Sequence, residues 1–98
     1  MNNVADIIIS QLGRSAFVLM GTNKIVKTEN GIRFNVGSNP RKVRWVEVEL
    51  DSTFDLYNVK VSNNRHREIG STVGIYADML HDVIESATGL YTTLHPRR

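Results

Sequence analysis

The fold is decided by the alternating stretch at residues 45–61, WVEVELDSTFDLYNVKV. Apolar side chains occupy every second position on each side of the segment 51–54. Because successive side chains of a strand point to opposite faces, this pattern predicts two antiparallel strands with one buried and one solvated face. A loop of four residues at 51–54 sets the positions that face each other across the strands. The predicted pairs are Leu50 with Asp55, Val48 with Tyr57 and Val46 with Val59.

Residues before this stretch predict a second hairpin around Asn30-Gly31. This dipeptide tolerates the positive φ angles that a type I′ turn requires, and it separates residues 24–29 from the alternating residues 32–36. Further upstream, Ala16 to Met20 form a continuous apolar run, which predicts a strand covered on both sides or docked beneath a helix. Three strands are therefore expected before residue 45.

Residues after this stretch predict a third hairpin at Asn63-Asn64, since Asn adopts the left-handed region more readily than most residues. The turn leads into a strand from Arg65 to about Ser71, which completes a meander. A turn of two residues also sets the pairing of the last two strands. The predicted pairs are Ser62 with Arg65 and Lys60 with Arg67.

Two amphipathic helices flank the strands in the sequence. The first runs from about Val4 to Leu12, with Asn3 as its N-cap and Gly13 just after its end. The second begins near Ile75 or Tyr76 and ends before Gly89. Apolar residues at helical spacing predict which face of the second helix is buried. They are Tyr76, Met79, Leu80, Val83 and Ala87.

The chain of 98 residues is long enough for one domain with one core. We therefore predict a single α+β domain over residues 1–98, built on an antiparallel meander sheet of five or six strands. The N-terminal and C-terminal helices are expected to pack on one face of that sheet. The predicted core consists of Val4, Ile8, Leu12, Phe34, Val46, Val48, Tyr57, Val59, Leu80 and Val83.

The composition is that of a folded globular protein, with 41% hydrophobic and 22% charged residues. Cysteine is absent, which excludes disulfides and thiolate metal sites and favours a reducing compartment. The longest apolar runs, Ile7 to Ile9 and Ala16 to Met20, are too short for a membrane span or a signal-peptide core. The expected localisation is cytoplasmic, with no membrane partner.

The reactive residue types form no recognisable catalytic or metal site in the sequence. His66, His81 and His95 lie in separate segments, and none has a partner at the spacing that binds zinc on one helix face. Asp78, three residues before His81, is expected to form an exposed helix pair with it. No serine occupies a nucleophile motif, and the glycines are scattered singly rather than grouped in a phosphate-binding loop. We therefore expect a protein that is not an enzyme and binds no cofactor or metal.

A basic and aromatic surface is the one binding site that the pattern predicts. The strand pairing described above places Trp45, Lys60 and Arg67 in one row across three strands, on the polar face of the sheet. An exposed aromatic ring among cations is typical of surfaces that bind single-stranded nucleic acid. The nucleic-acid-binding candidates are Trp45, Lys60, Arg65, Arg67, Arg41 and Lys42.

Three considerations favour a purely structural role for these residues. The stems of Lys and Arg commonly cover a Trp on a sheet through cation–π contact. A loop of three residues instead of four would turn Trp45 to the buried face. Glu47 and Glu49 share the predicted face of Trp45 and would repel phosphate, which would leave the cations as solvated turn residues.

Two segments near the C-terminus resemble a known family. The segment 74–80, GIYADML, followed by 88–92, TGLYT, is similar to a family of short uncharacterised proteins of phages and bacterial mobile elements. The segments 8–13 and 17–23 and the central strands also fit, so the resemblance covers nearly the whole chain. The basic turn 62–67, SNNRHR, departs from the family pattern. The resemblance implies a cytoplasmic, accessory role and transfers no catalytic residue.

Two functions are therefore expected from the sequence. The first is a noncatalytic interaction module that acts through a protein partner, or as a homodimer, by an exposed sheet edge or the uncovered face of the sheet. The second is weak binding of single-stranded nucleic acid across the basic and aromatic face. The second depends on the exposure of Trp45 and on the register of the strands at 43–50 and 55–62.

Overall fold

A computed structural model describes residues 4–93 of the chain. The elements are α1 (Val4–Leu12), α2 (Arg14–Leu19), β1 (Ile25–Lys27), β2 (Gly31–Asn35), β3 (Trp45–Asp51), β4 (Leu56–Ser62), β5 (Glu68–Ile75), a 3₁₀ turn (Ala77–Met79) and α3 (Leu80–Thr88). The five strands form one open antiparallel sheet in the order β1-β2-β3-β4-β5. The α+β class and the meander are therefore confirmed, with five strands.

One face of the sheet carries the hydrophobic core. Antiparallel pairing aligns Ile32 with Val48 and Val48 with Val59, and all three side chains are buried. From the helices, Ile8 of α1 and Ile84 of α3 are fully buried in the same cluster. Both terminal helices thus pack on one face, as the sequence predicts. Of the predicted core residues, Val4 and Val83 are partly buried and the others are buried.

The apolar run at residues 16–20 was expected to form a strand, and this prediction is wrong. The run lies in and just after α2, where Phe17 is buried while Val18 is 72% exposed. The Phe17 ring packs edge-on against Phe34, with ring centroids 5.2 Å apart. A short apolar run has no periodicity that separates a strand from a helix, and the positive φ of Gly13 lets a second helix start directly after α1.

The hairpin between β1 and β2 is confirmed, but its turn differs from the predicted one. The tip consists of Glu29 and Asn30, and the Thr28 N–H donates to the Gly31 carbonyl at 2.8 Å. Neither Asn30 nor Gly31 has a positive φ. Gly31 instead pairs with Glu49 inside the sheet, where an added Cβ would collide with the carbonyl oxygen of Val48.

The register of β3 and β4 differs from the predicted register by two residues. The loop contains residues 52–55 rather than 51–54, because Asp51 pairs with Leu56 and Asp55 adopts a φ of 57°. A shift of two preserves the alternation, so every side chain remains on its predicted face. The observed pairs are Leu50 with Tyr57, Val48 with Val59 and Val46 with Val61.

The turn between β4 and β5 is longer than predicted. Asn63 closes it through a backbone bond from its N–H to the Arg67 carbonyl at 3.0 Å, and His66 has a φ of 61°. As a result β5 begins at Glu68, three residues later than expected, and it continues to Ile75. The predicted pairs Ser62 with Arg65 and Lys60 with Arg67 are therefore wrong.

The longer β5 also delays the closing helix. The 3₁₀ turn follows Ile75, and α3 begins only at Leu80. Tyr76 and Met79 were expected to be buried, but they are 64% and 48% exposed. The end of α3 is as predicted, since Gly89 has a φ of 75° and its N–H donates to the Glu85 carbonyl.

Two residues considered from the sequence, the predicted N-cap Asn3 and the histidine His95, lie outside the described residues 4–93. Within that range, none of the helices has the length and the apolar character required to cross a membrane.

Candidate interaction surfaces

The predicted row of Trp45, Lys60 and Arg67 does not exist on the sheet. Trp45 pairs with Ser62, while Lys60 lies between Glu47 on β3 and Ser71 on β5. The row depended on the lengths of two loops, and each loop is shifted or longer than expected. Lys60 is therefore displaced by two residues from the position beside Trp45, so the predicted row is wrong, while a binding role for its residues stays a prediction.

Trp45 is half-buried and packs against two cationic or titratable side chains. The His66 ring stacks on the indole, with centroids 5.6 Å apart and planes at 20°. The Arg33 guanidinium carbon lies 5.4 Å from the indole centroid, a cation–π distance. The backbone brings these side chains together. Asn35, Trp45 and Ser62 are paired side by side at one end of β2, β3 and β4, and the turn 63–67, which carries His66, begins directly after Ser62. The indole is therefore partly covered by its neighbours.

The uncovered face of the sheet carries charges of alternating sign. Arg33, Glu47 and Lys60 are aligned on three adjacent strands, with Glu49 two residues along β3. Opposite charges on neighbouring strands neutralise one another locally. This face therefore has no excess of positive charge with which to attract a phosphate backbone.

The other basic candidates meet at one end of the sheet. The loop 36–44 joins β2 to β3 and the turn 63–67 joins β4 to β5, so both lie at the same end of the meander. The Arg44 N–H donates to the Ser62 carbonyl at 2.7 Å, which fixes the two connections side by side. We name these two connections the basic end. Its cations are Arg41, Lys42, Arg44, Arg65 and Arg67.

Two asparagine side chains hold the backbone of the basic end. The Asn39 carbonyl oxygen accepts the N–H groups of Arg41 and Val43 at 3.1 and 3.0 Å. The Asn63 carbonyl oxygen accepts the N–H groups of Arg65 and Arg67 at 2.9 and 3.0 Å. Such Asn caps are a standard device for closing short loops. Each connection is thus tied internally while its cationic side chains point outward and remain exposed.

A polar cleft separates the two connections of the basic end. Its volume is about 460 Å³, and Lys42, Arg44, Asn63 and Asn64 contribute to its walls. Arg44 belongs to this surface although it is absent from the predicted candidates. Its proximity to the turn follows from its position directly before β3, whereas Lys60 was included because of a register that does not occur.

The edge strand β5 forms a second candidate surface. It pairs with β4 on one side only, and it is the longest strand of the sheet. Ile69 and Val73 on this strand are 46% and 74% exposed. The opposite edge strand, β1, contains only three residues. The sheet therefore presents one long edge with exposed apolar side chains.

His81, Thr92 and Glu85 form a hydrogen-bonded cluster that is not among the sequence predictions. His81 was expected to face water beside Asp78. Its Nδ1 atom lies 2.7 Å from the Thr92 hydroxyl, which donates to the Glu85 carboxylate at 2.8 Å. Its Nε2 atom lies 3.3 Å from the Gln11 carbonyl oxygen. The spacing of Glu85 four residues after His81 is the only sequence signal for this cluster.

This cluster connects elements rather than exposing reactive groups. Its members belong to α1, α3 and the segment after Gly89, and Thr92 is only 1% exposed. A hydroxyl that is buried and donates to a carboxylate is not presented to a substrate. The cluster therefore holds the segment that follows Gly89 against α1 and α3, and we call it the clamp at Thr92.

Among residues 4–93, no group of three or more His, Asp or Glu side chains is arranged to hold a metal ion. Comparisons of the chain with protein-family models, curated proteins and solved structures found no match in any of the three. The basic end and the β5 edge are therefore the candidate interaction surfaces.

Proposed function

We propose that the protein is a noncatalytic interaction module that binds a protein partner along the edge of β5. The observation that carries the proposal is the combination of an eight-residue edge strand with two exposed apolar side chains, Ile69 and Val73. An extended segment of a partner can add to such an edge as a further strand, with main-chain hydrogen bonds supplying affinity. The resemblance to proteins of phages and mobile elements supports an accessory role in the cytoplasm.

The composition of β5 also supports this role. Monomeric proteins commonly protect the edge of a sheet by placing lysine or proline on the edge strand or by keeping that strand very short. The segment from Glu68 to Ile75, EIGSTVGI, contains neither lysine nor proline, and its single charge lies at its first residue. The bulges opposite β4 and the positive φ of Gly74 limit pairing near the ends of the strand. The middle of β5 is therefore the expected docking segment.

Charged variants at matched exposed positions test the proposal. Val73→Lys places a charge on the edge, and Val18→Lys places one on α2 at nearly the same exposure, 74% against 72%. We expect tagged wild-type protein and the Val18→Lys variant to capture the same partner from a bacterial lysate, and Val73→Lys to capture much less.

The oligomeric state separates a partner from a second copy. Sedimentation of the purified wild-type protein is expected to show a monomer that forms a heterocomplex with the captured partner. A homodimer that Val73→Lys dissociates would assign the edge to self-association instead. Equal capture by all three proteins would contradict a role for β5.

A further inference from the structure

We infer that the basic end binds single-stranded nucleic acid in the cleft between the loop 36–44 and the turn 63–67. This site is distinct from the β5 edge and from the sheet face that the sequence suggested. The two connections carry five Lys or Arg side chains and contain no Asp or Glu.

A group of acidic residues lies at the other end of the sheet from the basic end. The connections at that end, residues 28–31, 51–56 and 76–79, contain no Lys or Arg. Their carboxylates are those of Glu29, Asp51, Asp55 and Asp78. The formal net charge of +2 therefore understates the positive potential around the cleft. Separated charge of this kind orients a polyanion toward the basic end during association.

The basic end is organised before a ligand binds. Asn39 and Asn63 fix both backbones through the hydrogen bonds described above, and the Arg44 to Ser62 bond joins them. Binding a strand there orders cationic side chains but not the loops that carry them, which lowers the conformational cost of association. The cleft volume of about 460 Å³ falls within the roughly 300–1,000 Å³ typical of ligand pockets.

An exposed aromatic ring beside the cations favours a single strand over other polyanions. His66 belongs to the turn 63–67, its side chain is exposed, and its ring is supported from behind by the indole of Trp45. Unpaired bases stack on aromatic rings of this kind, whereas the bases of a duplex are not available for stacking. The cations track the phosphates while His66 receives a base.

Fluorescence anisotropy with a labelled oligothymidine tests the site. The first variant combines Lys42→Asn with Arg44→Gln, because Asn tolerates the φ of 60° at residue 42. The expected result is weaker binding and a slope of log affinity against log salt reduced by about 1.4, from about 0.7 per phosphate contact on a single strand. Lys60→Gln, which removes an exposed cation from the sheet face, is the matched control and should bind as the wild-type protein does.

The role of the ring is tested separately. His66→Asn removes the imidazole and keeps a residue that tolerates the left-handed backbone. We expect affinity to fall by about fivefold, the equivalent of a stacking contact of about 1 kcal/mol, with an unchanged salt slope. Circular dichroism and thermal melting of each variant confirm that the fold is retained.

Three results would overturn the inference. One is the absence of binding by wild-type protein at roughly 100 μM and about 50 mM salt, where nonspecific binders normally register. Another is a loss for Lys60→Gln equal to that for the double variant, which would return the site to the sheet face. The third combines two observations: inorganic polyphosphate competes with the labelled oligothymidine as well as an unlabelled oligothymidine does, and His66→Asn leaves the affinity unchanged. Base stacking would then contribute nothing to binding.

Discussion

Gly31 illustrates how a glycine is required by a close approach rather than by a turn. An added Cβ would collide with the Val48 carbonyl oxygen and lie 2.9 Å from the Glu49 Cα, and both of these are backbone atoms of β3. Neither can move without disturbing the central pairing of the sheet. The Asn30-Gly31 signal thus located the hairpin, while the physical reason for the glycine lies in the neighbouring strand.

We therefore expect Gly31→Ala to lower the free energy of unfolding by about 3 kcal/mol or more, the upper end of ordinary overpacking costs. Gly37→Ala is the matched control, because its Cβ would meet the Met20 carbonyl oxygen at 3.5 Å and the Gly21 Cα at 3.9 Å, both ordinary contact distances. Urea unfolding of both variants measures the difference. Similar losses for the two would show that the approach of β3 is not the constraint.

Tyr57 makes stability depend on alkaline pH. Burial raises the pKa of its phenol above the ordinary 10.0, and the nearby Asp55 carboxylate raises it further, while a hydrogen bond with the Gln11 side chain acts in the opposite direction. The folded protein therefore holds this proton more tightly than the unfolded chain does. The resulting stability is complete below pH 10 and is lost as the pH rises through the folded-state pKa.

Tyr57→Phe removes this dependence. Between about pH 8 and about pH 11 the wild-type protein should lose more unfolding free energy than the variant, as measured by urea titration at both values. Tyr76 and Tyr91 are exposed and are present in both proteins, so the comparison isolates Tyr57. Parallel losses in the two proteins would exclude the phenol of Tyr57 as the cause.

The clamp at Thr92 should contribute measurably to stability. Its hydroxyl contacts both His81 and Glu85, so Thr92→Val removes a hydrogen-bond partner from each, while Glu85 keeps the bond from the backbone N–H of residue 92. We expect a loss of about 1–3 kcal/mol in unfolding free energy, the cost of an unsatisfied polar group. Thr93→Val, one residue further and half-buried, provides the control and should change stability by less than about 0.5 kcal/mol.

At the scale of elements, the alternation of apolar and polar residues predicted the central strands correctly, whereas the continuous apolar run at residues 16–20 did not predict the type of its element. Residues 45–50 alternate strictly, and β3 has the expected buried and open faces. Residues 16–20 contain no polar position to define a period, and they belong to α2 and its end. Five consecutive residues span more than one full turn of a helix, so this run cannot lie on one face, and Val18 is exposed while Phe17 beside it is buried.

Loop conformations limited the prediction of register. Asp55 and His66 both adopt positive φ; Asp55 lies in a loop whose position was predicted one residue too early, and His66 in a turn that is longer than predicted. Non-glycine residues enter this region only when the surrounding hydrogen bonds compensate, as the Asn63 side chain does around His66. Such compensation depends on the folded loop, so composition alone does not reveal it.

The start of α3 was placed too early, and this changes which side chains stabilise it. Leu80 is fully buried at the first turn, whereas Met79 directly before it is 48% exposed. We expect Leu80→Ala to cost about 2–5 kcal/mol of unfolding free energy and Met79→Ala to cost less than about 1 kcal/mol. Chemical denaturation of both variants provides the measurement, and equal losses would contradict the observed start of the helix.

At the scale of the whole molecule, the sequence predicted which residue types form the basic surface but not where they meet. Arg41, Lys42, Arg65 and Arg67 are brought together because the meander places two connections at one end. Lys60 was misplaced because its predicted neighbours depended on the position of the β3–β4 loop and on the length of the β4–β5 turn. The basic character of the two connections does not depend on strand register, whereas a row across three strands requires both registers to be correct.

The separation of charge between the two ends has a practical consequence for purification. At pH 7 a formal net charge of +2 suggests weak retention on a cation exchanger and none on an anion exchanger. Lys27, which ends β1 just before the acidic connection 28–31, forms a salt bridge with Asp6 at 2.7 Å. Each end can therefore adsorb to a resin of opposite sign.

We expect the protein to be retained on both sulfonate and quaternary-ammonium columns at low ionic strength, with opposite ends facing the two matrices. The double variant at Lys42 and Arg44 should elute earlier from the sulfonate column and unchanged from the other. Flow-through on the quaternary-ammonium column would contradict an accessible acidic end. Chromatographic behaviour would then report which end of the molecule faces a charged surface.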